Sequence, residues 1–287
     1  MLYHLHMSRR RAAWSRAELL AAFRLYCRTP FGRLHQHNPD IIALAERMGR
    51  SASSVGMKAC NFASLDPAMQ KRKKAGLANA SRADRELWEQ FLADSATIAE
   101  AAEAAYIGLM GTDVSQAPAE QTQPDAPRPD ADSEVADLDL PMLPEMPEGP
   151  ATVERLIRAR RLQGFFRDAV LTSYGQRCAL TGLAEPVVLN ASHIIPHAHD
   201  HKRSADPHNG LCLNALHDRA FDRGLISFDP DLRLLLSPRL HRTDPATAPA
   251  AHLQMFLALE GTALQLPERF EPDPEALRYH RETLFAR

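Results

Sequence analysis

Residues 177–228 read RCALTGLAEPVVLNASHIIPHAHDHKRSADPHNGLCLNALHDRAFDRGLISF, and the rest of the chain is best understood outward from them. Six of the thirteen histidines fall within His193–His217, in the same stretch as Asn209, Asp218 and Asp222. Crowding of imidazoles and carboxylates points to a metal or hydrolytic site. Val187–Leu189 predicts a strand, Pro196–His208 a long polar loop and Asn214–Asp222 a helix, with further strands over Leu225–Phe228 and Leu232–Leu236. The residues that bear chemistry stand at the junctions of this ββα outline.

Hydrolysis of a phosphodiester needs a base to take a proton from water and a divalent cation to offset phosphate charge. It also needs a group that holds the base in the right tautomer. A histidine at a strand end, an asparagine in the loop and ligands on the following helix would supply all three. Asp218 and Asp222 are four apart, so on a helix they share one face and can share one cation. Carboxylates favour Mg²⁺ or Mn²⁺, and an imidazole from His217 widens the choice to Ni²⁺ or Zn²⁺. His197, His199, His201 and His208 fit polar loop residues better than ligands.

The spaced motifs RCA-x-TG, ASHI-x-P, NGL-x-L and HD-x-x-FD-x-GLI, with FFRDAVLTSYG upstream, resemble the HNH endonuclease family over roughly Arg158–Ser237. The resemblance implies a ββα-metal fold and one divalent cation, with DNA cut to 5′-phosphate and 3′-hydroxyl ends. It places the general base on His193, the asparagine that orients it on Asn209, and the final motif on His217, Asp218 and Asp222. Many members carry an Asp or His ligand immediately before the base, where this chain has Ser192. The paired zinc-binding cysteines of other branches are absent, since Cys178 and Cys212 stand alone.

The remaining sequence divides by charge. Met1–Leu92 carries 16 Lys and Arg against 7 Asp and Glu, residues 94–150 carry 1 against 13, and residues 151–287 carry 17 against 16. The basic head predicts three helices. Ser15 and Glu18 make a capping box, Asn38-Pro39 opens a second helix that Gly49 stops, and Ser51 caps a third. This matches a helix-turn-helix, with Ser53, Ser54, Lys58 and Asn61 toward a duplex and Lys71, Arg72, Lys73 and Lys74 on its phosphates. The segment FGRLHQHNPDIIALAERMGRSASSVGMKACNFASLDP also resembles a module found ahead of such nuclease domains in bacterial proteins. An Ala-rich helix to about Met110 then gives way to a Pro-rich acidic stretch, Gly111–Pro150, of the composition of a disordered linker. From Thr152 an amphipathic helix runs to Gly175, carrying a possible phosphate track that includes Arg160 and Arg167.

The expected fold class is therefore α+β. It comprises a helical head (1–92), an Ala-rich helix and acidic linker (93–150), a ββα nuclease domain (151–245) and a helical tail (246–287). The expected function is a metal-dependent endonuclease of double-stranded DNA in restriction or phage defence. The alternatives are a non-catalytic DNA-binding regulator on the same scaffold, or an RNA nuclease. A homodimer is plausible because double-strand cleavage by single-site nucleases usually needs two sites. Four scattered cysteines argue against a disulfide framework. The absence of any long apolar run or signal-like segment gives an expected cytoplasmic location.

Overall fold

In the computed structural model, residues 13–74, 79–111, 150–241 and 250–286 are described. The acidic stretch expected to be a linker lies almost wholly outside them. The head opens with α1 (Arg16–Arg28), α2 (Pro39–Met48) and α3 (Ala52–Ala63). Each starts where a side chain satisfies an orphan N–H: Ser15 with Glu18 in a capping box, Asn38 on Asp40 N, and Ser51 on Ser54 N. Gly49 adopts φ 61°, the left-handed turn that ends α2.

Three more helices follow, α4 (Pro67–Lys71), α5 (Arg82–Ala93) and α6 (Ser95–Met110). They move the expected boundary. The core of the head does not close at residue 92, because Ile98, Ala99, Ala102 and Tyr106 of α6 pack into it. Phe165 and Ala169 of α7 (Pro150–Ser173) and Phe270 near the C-terminus join the same cluster. The segment after residue 245 is thus not a separate tail. Arg269, 1% exposed, donates to the carbonyls of Tyr26, Cys27 and Thr29, which α1 leaves unpaired at its C-terminal end. Asp66 accepts from Tyr26 Oη and from Phe270 N, both at 3.0 Å.

The second core belongs to the C-terminal half. Strand β1 (Leu189–His193) pairs antiparallel with β2 (Gly210–Asn214), with His193 opposite Gly210 and Ser192 opposite Leu211. Helix α8 (Ala215–Asp222) follows at once, Asn214 accepting from His217 N as its cap. A short hairpin of β3 (Ile226–Phe228) and β4 (Leu234–Leu236) completes the sheet structure. Helices α9 (Pro238–His241), α10 (Ala250–Leu257) and α11 (Pro274–Tyr279), then a π-helical turn over His280–Leu284, pack around this unit. Two expectations shift here. The strand begins at Leu189, with Pro186–Val188 a 3-10 turn, and β2 went unanticipated within NGLCLN. No described helix is long and apolar enough to cross a membrane.

Candidate active site

Alternation along β1 decides which side chain meets which helix. Residues two apart on a strand share a face. Asn190 and Ser192 therefore point together toward α8, while His193 and its cross-strand partner Gly210 face α7. The consequence is visible at Gly210, where an added Cβ would lie 2.5 Å from Val170 Cγ2 and 2.9 Å from Phe166 Cζ. The missing side chain lets Phe166 lie flat on the His193 ring, centroids 3.8 Å apart at 7°.

His193 Nε2 lies 3.0 Å from the Ser204 carbonyl oxygen. A carbonyl only accepts, so Nε2 carries the proton and Nδ1 is left with the free lone pair. Burial pushes the imidazole below its ordinary value and the neighbouring His197 ring adds to this; the Ser204 carbonyl and Asp218 oppose it without reversing it. The ring is neutral near pH 7, as a general base must be.

Asn209 is fully buried, and its side-chain hydrogen bonds among the described residues go to Ile195. Its Oδ1 accepts from Ile195 N at 2.8 Å and its Nδ2 donates to Ile195 O at 3.0 Å. Its own carbonyl accepts from Ile194 N at 2.9 Å. The asparagine thus clamps the chain just after His193.

Asp218 and Asp222 lie one turn apart on α8, and both line a cleft of about 540 Å³ with Asn190, Ser192, His193 and Arg167. Asn190 Nδ2 donates to Asp218 Oδ2 at 2.7 Å and Ser192 Oγ to Asp218 Oδ1 at 2.5 Å. Burial pushes the Asp222 carboxyl up, and the Asp218 charge adds to it, with Arg219 and Arg223 opposing. Among the described residues no three His, Cys, Asp or Glu side chains converge as a complete metal cage. Two hard oxygen donors in one cleft, one of them strained by the charge of the other, still fit Mg²⁺ or Mn²⁺. Such ions are commonly held by one or two carboxylates, with waters and substrate phosphate completing the shell.

His217 is the main correction. It does not join the cleft with Asp218 and Asp222. One residue along a helix is a turn of about 100°, so His217 faces the interior with Phe221. It is 3% exposed, its Nε2 is 3.4 Å from the Met255 carbonyl, and its ring meets Phe256 edge-on at 5.7 Å. Among the described residues no partner stands in hydrogen-bond geometry to its Nδ1. Its influence instead reaches the Cys178 thiol: burial pushes that group up, but His217, Thr181 and the local backbone outweigh it and hold it at about 6. His217 therefore lies outside the lining of the cleft that holds the two carboxylates.

The expected DNA contacts of the head are also revised. Lys58 is 8% exposed, with Nζ 2.9 and 3.0 Å from the two Asp84 oxygens. Asn61 Nδ2 reaches the same carboxylate at 3.4 Å. Helix α5, which brings Asp84, thus engages Lys58 and Asn61 of α3, while Ser53 on α3 stays exposed. Lys71 pairs with Glu271, Lys74 with Glu268, and Arg72 donates to Pro267 O. These contacts tie the C-terminal segment to the head, yet all four residues of the run stay exposed, Lys73 at φ 55°. Of the basic residues on α7, Arg167 lines the cleft and Arg160 is exposed. Asn190, Phe166 and Ser204 were missed; the Asn-x-Ser alternation ahead of His193 is the signal that could have exposed the first.

Comparison with known proteins agrees with this geometry. Residues 178–229 match a family model, HNH_2, described as HNH endonuclease. The C-terminal half therefore contains an HNH domain, and a nuclease is the class that this domain defines. No curated protein matches the chain.

Proposed function

We propose that the HNH domain is a metal-dependent endonuclease of double-stranded DNA that serves restriction or phage defence. The observation that carries this reading is the state of His193. Its Nε2 is committed to the Ser204 carbonyl, Phe166 fixes the plane of the ring, and burial keeps it neutral beside a two-carboxylate cleft. His193 Nδ1 takes a proton from the water that attacks phosphorus. Asn209 keeps the backbone that presents His193 in one place. Asp218 and Asp222 would hold Mg²⁺ or Mn²⁺, which when bound supplies positive charge to the phosphate and the leaving oxygen. Arg167, at the cleft wall, and Arg160, about two turns earlier on α7, offer guanidinium groups to flanking phosphates.

The test is digestion of supercoiled plasmid with Mg²⁺ or Mn²⁺, with an RNA substrate alongside. His193→Ala is expected to lower DNA cleavage by about 10²- to 10⁴-fold while leaving DNA binding intact. Undiminished cleavage by a clean His193→Ala preparation would sink the assignment, and preferential cutting of RNA would move the substrate. The defence role predicts that cells expressing the wild-type chain plate fewer phage than cells expressing His193→Ala.

A further inference from the structure

Asp218 is the only one of the two cleft carboxylates given hydrogen-bond donors on both oxygens among the described residues. The donors come from one strand face, Asn190 Nδ2 to Oδ2 at 2.7 Å and Ser192 Oγ to Oδ1 at 2.5 Å. Neither donor is loosely held. Ser192 is 2% exposed, and its backbone is fixed opposite Leu211 in the β1–β2 ladder. Its side chain has a single rotatable bond before the hydroxyl, so little freedom is lost in holding that geometry. Two donors approaching different oxygens fix the rotation of the carboxylate plane, while each oxygen keeps a second lone pair. Asp222 presents its carboxyl to the same cleft one turn along α8.

Ser192 stands next to the proposed base, yet a neutral hydroxyl that donates to a carboxylate is a weak cation ligand. The geometry points to a different role. We propose that Ser192 and Asn190 are positioning residues for the cation: they lock the Asp218 carboxylate so that Asp218 and Asp222 share one divalent ion without a third protein ligand from β1. The inference rests on the reading of Asp218 and Asp222 as the metal pair. Partners that orient a ligand commonly matter by 10- to 100-fold in metal affinity.

The experiment measures Mn²⁺ binding to the full chain without DNA, by the electron paramagnetic resonance of free Mn²⁺. Asp218→Asn should abolish tight binding. Ser192→Ala and Asn190→Ala should each weaken it by about tenfold. Ser192→Thr, which keeps the hydroxyl, should bind like wild type, while Ser192→Val, nearly the same shape without it, should behave like Ser192→Ala. Melting in EDTA reports on folding independently of the metal. If Ser192→Ala and Ser192→Val bind Mn²⁺ as tightly as wild type while Asp218→Asn does not, the positioning role is overturned and the metal pair stands. Equal losses in the Thr and Val variants, both folded, would also overturn it, since packing rather than the hydroxyl would then be responsible. Retained tight binding by Asp218→Asn would overturn the pair itself.

Discussion

On one side of α8, Asp218 and Asp222 line an open cleft with His193; on the other, His217 and Phe221 are sealed into the second core. Both sides are rich in histidine, and the two environments use it in opposite ways. His193 is held by one carbonyl and one stacked ring at the edge of the cleft. On the buried side both ring nitrogens of His280 are committed. Ser227 Oγ donates to its Nδ1 at 3.0 Å, its Nε2 donates to Phe221 O at 3.1 Å, and the ring stacks on Phe221 with centroids 3.7 Å apart. His193 and His280 thus differ by which side of one eight-residue helix they meet, an open cleft or a closed core.

The largest expected effect separates the two faces by readout. His193→Ala should lose cleavage by the orders of magnitude given above while its urea midpoint stays near that of wild type. Next comes Gly224, which follows α8 at φ 64° with its space already taken: an added Cβ would stand 2.0 Å from the Leu284 carbonyl oxygen. Ala286 N also donates to Gly224 O at 2.9 Å. Gly224→Ala combines a disfavoured backbone with a clash against backbone, so a loss of about 3 kcal/mol is expected in urea unfolding. A stability within about 0.5 kcal/mol of wild type would mean that the C-terminal segment is not docked on α8 in this way.

A pH experiment sharpens the same contrast. Burial holds the His280 imidazole at about 4, with the Phe221 carbonyl only partly opposing. The folded value lies below the unfolded one of about 6.5. Above that pH neither state takes the proton and His280 contributes no pH dependence. As pH falls from about 6.5 to about 4, the unfolded chain is protonated first and stability declines, by up to roughly 3 kcal/mol. His280→Gln should flatten the slope of urea-derived stability across that window; an unchanged slope would show that other groups carry it. The smallest effect belongs to His217. His217→Ala should cost about 2 kcal/mol of stability through lost packing, while cleavage at a permissive temperature stays within about twofold of wild type. A severe loss of cleavage with unchanged stability would return His217 to the active site.

Much of the architecture was legible because it is written locally. Ser15 with Glu18, Asn38-Pro39, Gly49 and Ser51 are short-range instructions, and the helices of the head start and stop at them. The span of α8 could be read in the same way, with Asn214 as its cap. Strand β2 escaped because it is buried at four of its five positions, so no polar–apolar alternation marks it. Lys58 escaped for another reason: its partner Asp84 lies twenty-six residues away on a helix whose docking no local pattern announces.

By itself, the sequence determined the strand–loop–helix outline, the span of α8 and the shared face of Asp218 and Asp222. Period two in strands and 3.6 in helices are properties of the backbone and need no partner to operate. Only the tertiary structure decided that His217 turns inward, that Ser192 and Asn190 grip Asp218, and that Arg269 and Phe270 anchor the C-terminal segment in the head. Those outcomes depend on which surfaces meet, and side chains distant in sequence are brought together only when two cores close around shared helices.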